Sequence, residues 1–222
     1  PDATRVALLS QTRLVELRLV RPGDHSLVGA IYRGRVTAVR REQSAAFVDI
    51  GQAKAGFLSL RRAAKPPAEG SALLVQVTKD AVDEKGAGLT DRPSIVGRYL
   101  TLRVGSPGLD RSRRLDPEAL EHAATVLGAM DLAQDGFLLH PAAAEASDDE
   151  LLAEAKSLVD SWAGLRDQGR TAPSVVKPAP DPVLRAIQDH ARTLQSVLVD
   201  SADMLATLKA ALEQTVPALA AK

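Results

Sequence analysis

The chain has 222 residues and 23.5 kDa, with 28 basic and 28 acidic side chains, 45% apolar and 3% aromatic residues, and no cysteine. This fits one large or two small folded domains and argues against global disorder. Zero cysteines exclude disulfide scaffolds, thiolate zinc sites, iron–sulfur clusters and cysteine nucleophiles, and fit a reducing, cytoplasmic setting.

No apolar run approaches the roughly 20 residues needed to cross a bilayer. No basic-then-apolar leader pattern is visible either. The neutral total is a cancellation. Residues 1–115 carry 20 Lys/Arg against 11 Asp/Glu, whereas residues 116–222 carry 8 against 17. A basic front half attracts phosphate even when the whole chain is neutral.

Taken in order, Thr4–Val20 reads as a hairpin. Val15, Leu17 and Leu19 share one face, with Leu14 out of phase. Residues 28–90 read as a small all-β module with strands at Ile31–Val39, Ala45–Gly51, Gly56–Leu60, Ser71–Lys79 and Lys85–Thr90. Gly34 sits in the middle of the first, where a bulge or sharp bend is expected. Five short strands with glycines at their bends match a closed barrel of the oligonucleotide-binding type.

Tyr99–Val104 reads as a strand and Gly105–Asp110 as a loop. Asp116-Pro117-Glu118 starts a helix reaching about Met130. Phe137–Leu139 is a short strand. Ser147-Asp148-Asp149-Glu150 is a capping box before a helix to about Asp167, whose stripe is Leu151, Leu152, Ala155, Leu158, Val159 and Trp162. Residues 170–180 read as a flexible linker or as an ordered connection with a strand at Ser174–Val176. A helix from Asp181-Pro182, a strand at Gln195–Val199 and a last helix from Ala202 to Gln214 follow. Residues 174–214 thus form a strand–helix–strand–helix unit. It is too small for a core of its own, so it is expected to pack against the N-terminal hairpin, with the barrel and middle region as insertions.

Phe47 and Phe57, two of only three phenylalanines, lie in the barrel. Exposed aromatics on such barrels stack bases; buried ones pack the core. Phe47 is in phase with Ala45 and Asp49 and opposite to Ala46, Val48 and Ile50, which favours the outer face. Arg33, Arg35, Arg40 and Lys54 nearby suit phosphate. Lys79 and Lys85 either meet phosphate or solvate a turn, and Arg111, Arg113 and Arg114 offer guanidinium forks. The four histidines are dispersed, and no HExxH, phosphate loop, dinucleotide fingerprint or nucleophile elbow occurs. No catalytic or metal-binding residue is assigned.

The runs Ile31–Val36, Ala45–Gly51, Gly56–Leu58, Leu74–Asp80, Lys85–Thr90 and Gly97–Leu100, followed by Ser112–Leu115, Trp162, Val183–Ile187 and Val197–Asp200, resemble the ribonuclease E/ribonuclease G family in order and spacing. The resemblance implies an α+β fold. An S1/OB-type five-stranded barrel (28–90) and a 5′-sensor-like α/β region (91–172) interrupt a split RNase-H-like subdomain (1–27 and 173–222).

It also implies single-stranded RNA as partner, with Phe47, Phe57 and Lys85 at the family's RNA-contacting positions; Arg33, Arg35 and Lys79 join them as candidates. Arg113 and Arg114 are candidate phosphate contacts. At the family's end-sensing Arg–Thr pair this chain has His140 and Pro141, which implies weakened or altered recognition of a 5′ monophosphate. The resemblance stops short of the DNase-I-like subdomain that holds magnesium. The expected function is therefore RNA binding without a cofactor in this chain. The alternatives are a magnesium-dependent endoribonuclease, if the natural chain is longer, and a protein-interaction scaffold; homo-oligomerisation stays open.

Overall fold

Period-two patterning governs the start of the chain. β1 (Thr4–Ser10) and β2 (Arg13–Val20) pair antiparallel. A bulge between Leu8 and Leu9 sets Leu9 opposite Leu14, which accounts for the out-of-phase Leu14. The computed structural model describes residues 3–21, 26–61, 66–113, 115–169, 171–189 and 195–215. They divide into two compact units, residues 1–27 with 179–222, and residues 28–178.

The second unit begins with β3 (Ile31–Arg40), β4 (Ala45–Asp49), β5 (Gly56–Ser59), β6 (Ala72–Lys79) and β7 (Gly88–Thr90). They pair in the order β3–β4–β5–β7–β6, and β6 returns to β3. Only β5 and β7 run parallel. The result is a closed five-stranded barrel of the S1/OB type, without free edges in the ring. Alternation fills it: Ile31, Val36, Ala46, Val48, Ile50, Leu58, Val75, Val77 and Leu89 are all buried.

The expected bend at Gly34 is not where the irregularity lies. The bulge falls between Val36 and Ala38, and Gly34 instead permits a close approach. A Cβ there would sit 2.4 Å from Val48 Cγ1 and 3.1 Å from the Asp49 carbonyl oxygen.

A four-stranded sheet follows, in the order β10–β11–β9–β8, from β8 (Ser94–Val96), β9 (Leu100–Arg103), β10 (Gly108–Arg111) and β11 (Gly136–Leu139). Residues 105–110 are therefore not all loop. After the left-handed turns at Gly105 (φ 65°) and Gly108 (φ 86°), β10 pairs parallel with β11. α1 (Pro117–Val126) ends four residues before Met130. Asp116 holds the cap position in extended backbone, but its side chain makes no capping hydrogen bond.

α2 (Asp148–Arg166) starts at the expected capping box: the Glu150 N–H donates to Ser147 Oγ and the Ser147 N–H to Glu150 Oε2. The Ser147 donors hold the Glu150 carboxyl below the usual carboxylate range, helped by the Tyr99 hydroxyl. That stabilisation is present above the ordinary carboxylate pKa and fades as pH falls through the lowered value. Leu151, Ala155, Leu158 and Trp162 bury α2 against Leu100, Leu102, Phe137 and Leu139, whereas Val159 stays exposed.

The two halves of this unit are joined by side-chain bonds. Gln76 on β6 donates to the Gly29 and Ser94 carbonyls at 3.1 and 3.0 Å and accepts the Ser94 N–H at 2.8 Å. β12 (Ser174–Lys177), read from sequence as part of the following α/β unit, pairs with β3.

In the other unit, α3 (Pro182–Asp189) is capped by Asp181 Oδ1, which accepts the Val183 and Leu184 N–H groups. α4 (Ala202–Thr215) is capped by Ser201 Oγ. Leu184 and Ile187 pack on Leu208 and Leu212. Gln195–Val199 forms no strand. Val197 and Val199 cover this helix pair instead, so their alternation serves a helix–helix core rather than a sheet.

Gly34→Ala should lower unfolding stability by about 1–3 kcal/mol through overpacking. Gly164→Ala, on the exposed side of α2 with nothing within 4 Å, should raise it by roughly 0.5–1 kcal/mol. Thermal and urea melts of the two variants check both signs.

Candidate nucleic-acid interface

Register places the candidate residues. Ala38 lies opposite Phe47, Phe47 opposite Phe57, Phe57 beside Gly88, and Gly88 opposite Lys79. Directly opposed residues share a face, so one row crosses all five strands of the barrel. Its inward counterparts Ala46, Val48 and Leu58 are buried, while Phe57 is 42% exposed and Lys79 is exposed. The Phe47 and Phe57 rings meet edge to face, with centroids 6.1 Å apart at 79°. Gly88 leaves the row open between Phe57 and Lys79; a Cβ there would lie 3.3 Å from that of Lys79. Thr37 and Thr78 donate their hydroxyls to the Phe47 and Gly88 carbonyls, tying the neighbouring strands.

Lys85 stands on the tight turn between β6 and β7. Its N–H and C=O both bond to Val82, and its side chain is exposed. Lys54 is differently placed: its ammonium donates to the Asp83 carbonyl at 2.6 Å and to Glu84 Oε2 at 3.1 Å, bracing that turn.

Arg33 and Arg35 do not join the aromatic row. Arg33 Nη2 donates to the carbonyls of Arg166 and Gln168 at 2.9 and 3.1 Å, at the end of α2. There a cation satisfies the carbonyls that the helix leaves open. Arg35 donates to the carbonyls of Gly70 and Ala172, both at 3.1 Å. Both guanidinium groups thus fasten the segment after α2 to the barrel. Arg113 is exposed between β10 and α1, and Arg114 lies outside the described residues. Arg111 donates to the Leu115 carbonyl.

His140 ends β11. One ring nitrogen lies 3.1 Å from the Arg98 carbonyl, which can only accept, so Nδ1 carries a proton. Nε2 lies 2.7 Å from Thr101 Oγ1 and in the neutral ring accepts its hydroxyl. Pro141 begins a single 3₁₀ turn, Pro141–Glu145. Beside this pair, Glu154 of α2 accepts three consecutive backbone N–H groups, from Arg98, Tyr99 and Leu100, at 2.5–2.8 Å. Sequence patterning did not single out Glu154. It lies off the apolar stripe of α2, and its partners are more than fifty residues away.

Among the described residues, no group of three or more His, Asp or Glu is placed to hold a metal ion, and no helix is long and apolar enough to cross a membrane.

Residues 94–222, more than half of the chain, match the model of the Ribonuclease E/G family. Ribonuclease E of Haemophilus influenzae is 31% identical over 222 residues, covering 90% of this chain and 24% of that protein. Ribonuclease G of the same organism is 28% identical over 248 residues, covering 100% and 50%. Ribonuclease G of Escherichia coli is 32% identical over 183 residues, covering 73% and 37%. The chain thus spans from about a quarter to a half of the length of these relatives.

The exposure of the aromatic row has a thermodynamic signature. Phe57→Ala should change unfolding stability by no more than about 1 kcal/mol. Phe137→Ala, in the fully buried core, should cost about 3–5 kcal/mol. Chemical denaturation of the two variants compares them directly.

Proposed function

Because the chain belongs to the ribonuclease E/G family, we propose that its barrel binds single-stranded RNA in the cytoplasm, stacking bases on Phe47 and Phe57. Lys79 and Lys85 hold phosphate beside them. The observation that carries this reading is the row Lys79–Gly88–Phe57–Phe47, which sets an aromatic pair, Phe57 exposed and Phe47 half-buried, next to an exposed cation on one face. Base stacking of this kind tolerates any sequence, because every base has a π face. Arg33 and Arg35 act as structural clamps in this scheme, and Arg113 is a secondary phosphate contact. Residues 28–90 then correspond to the S1 barrel and 91–172 to the sensor-like region. Residues 1–27 with 173–222 correspond to the split RNase-H-like subdomain.

At the end-sensing position, the His140 ring is engaged by Thr101 and the Arg98 carbonyl, and Pro141 has no N–H. The adjacent N–H groups of residues 98–100 are committed to Glu154. This arrangement supports RNA binding that does not discriminate the 5′ phosphate.

Fluorescence anisotropy with a labelled oligoribonucleotide tests the stacking. Each of Phe47→Ala and Phe57→Ala should weaken binding by about 1–3 kcal/mol, and binding should weaken as salt rises. No binding by the unaltered chain to any single-stranded RNA would reject the proposal. Equal affinity for 5′-monophosphorylated and 5′-hydroxyl forms of one RNA is expected; a strong preference for the phosphorylated form would overturn the end-sensing part alone.

A further inference from the structure

The aromatic row has a second, oppositely placed cationic end. Ala38 is its member on β3, and Arg40 lies two residues further along the same strand, opposite Ala45, which in turn lies opposite Ser59. Period two puts Arg40 on the face of Ala38 and Phe47, about 7 Å beyond them. Arg41 opens the exposed turn between β3 and β4. The Leu60 N–H donates to the Ser44 carbonyl at 2.7 Å, which brings the exposed Arg61 alongside the same turn and adds positive charge.

Between this turn and residues 66–69 lies an open cleft of about 980 Å³, walled by Val39, Pro66 and Pro67 and rimmed by Arg40 and Arg41. Two carboxylates are close. Glu69 Oε1 accepts the Val39 N–H at 2.8 Å, and Glu42 stands exposed on the turn. In barrels of this type the loop between the first two strands and the loop between the last two flank the nucleic-acid path. Here the second of these carries Lys85 and the first carries Arg41.

We propose that Arg40 and Arg41, with the cleft they rim, form a second RNA-phosphate subsite. An RNA strand leaving the phenylalanine pair away from Lys79 and Lys85 enters this subsite. The inference rests on the RNA-binding reading of the same barrel face and adds a direction to it. The path runs from the β6–β7 turn, across five strands in four steps of about 4.8 Å, to the β3–β4 turn. The apolar wall of Val39 and the two prolines accepts a base or ribose, while the two guanidinium groups meet phosphate.

The test uses the full 222-residue chain and oligouridines of about 12 and about 4 nucleotides, the ends of interest within the site sizes of such barrels. For the double variant Arg40→Ala/Arg41→Ala, affinity for the longer RNA should fall roughly tenfold. The slope of log affinity against log salt should become shallower by about 1.4, two contacts at about 0.7 each. Affinity for the short RNA should change less than about twofold. Arg40→Lys/Arg41→Lys should restore the slope, and Lys156→Ala on α2 should change neither quantity.

An unchanged slope in the double alanine variant, or equal losses on both RNA lengths, overturns the subsite while leaving the stacking at Phe47 and Phe57 intact. Failure of the unaltered chain to bind either RNA defeats both. Circular dichroism of the double variant, whose changes sit at the exposed end of β3 and the first residue of its turn, confirms that it is folded.

Discussion

β3 is the strand on which the larger unit depends. It pairs with β4 and β6 inside the barrel and with β12 outside it. Such a strand can carry no side chain wherever a neighbour's core residues must come close, and Gly34 is that position. One edge of the ladder closes the ring; the other is extended by a strand from more than 130 residues downstream. The outward side chains of the same strand, Arg33 and Arg35, grip backbone carbonyls of the segment that delivers β12. Barrel closure, capping of α2 at its end and docking of the downstream segment are therefore consequences of one ten-residue stretch. Long-range pairings of this kind carry a loop-closure entropy cost, which the side-chain clamps help to offset.

Much of the barrel was legible because its strands obey period two and its turns are marked by glycine. Phase alone placed Phe47 on the outside, since Ala46, Val48 and Ile50 needed the interior. The capping box of α2 and the Asp–Pro start of α3 were equally legible, because caps are local. What was illegible is non-local. β8 and β10 are three and four residues long and contain serine, glycine and aspartate; only their partner strands make them strands. Gln195–Val199 shows the converse, an alternating run used to cover helices.

The candidate site divides along the same line. Phe47 could be assigned a face from strand phase, whereas Phe57 and Lys79 join it only through the register of the folded barrel. The arginines could not be placed from phase, because a guanidinium on an outward position chooses between solvent, phosphate and any carbonyl within reach. For Arg33 those carbonyls are 133 and 135 residues away in sequence. By charge alone Arg33, Arg35, Arg40 and Lys54 suit phosphate equally. In the folded chain Arg33, Arg35 and Lys54 brace a helix end, a loop and a turn, while Lys79 and Lys85 stay exposed.

The burial of Trp162 carries a consequence for anyone watching this protein in solution. It is the one tryptophan of the chain, only 7% exposed, and it sits among the leucines of α2 and the four-stranded sheet. Tyr32 and Tyr99 are buried too. The barrel's outward row is built from phenylalanines, which are nearly silent in emission. Intrinsic fluorescence excited in the indole band is therefore an optical gauge of packing in the sheet-and-helix region and is blind to occupancy of the barrel face. A change in the emission maximum would report loosening of that packing.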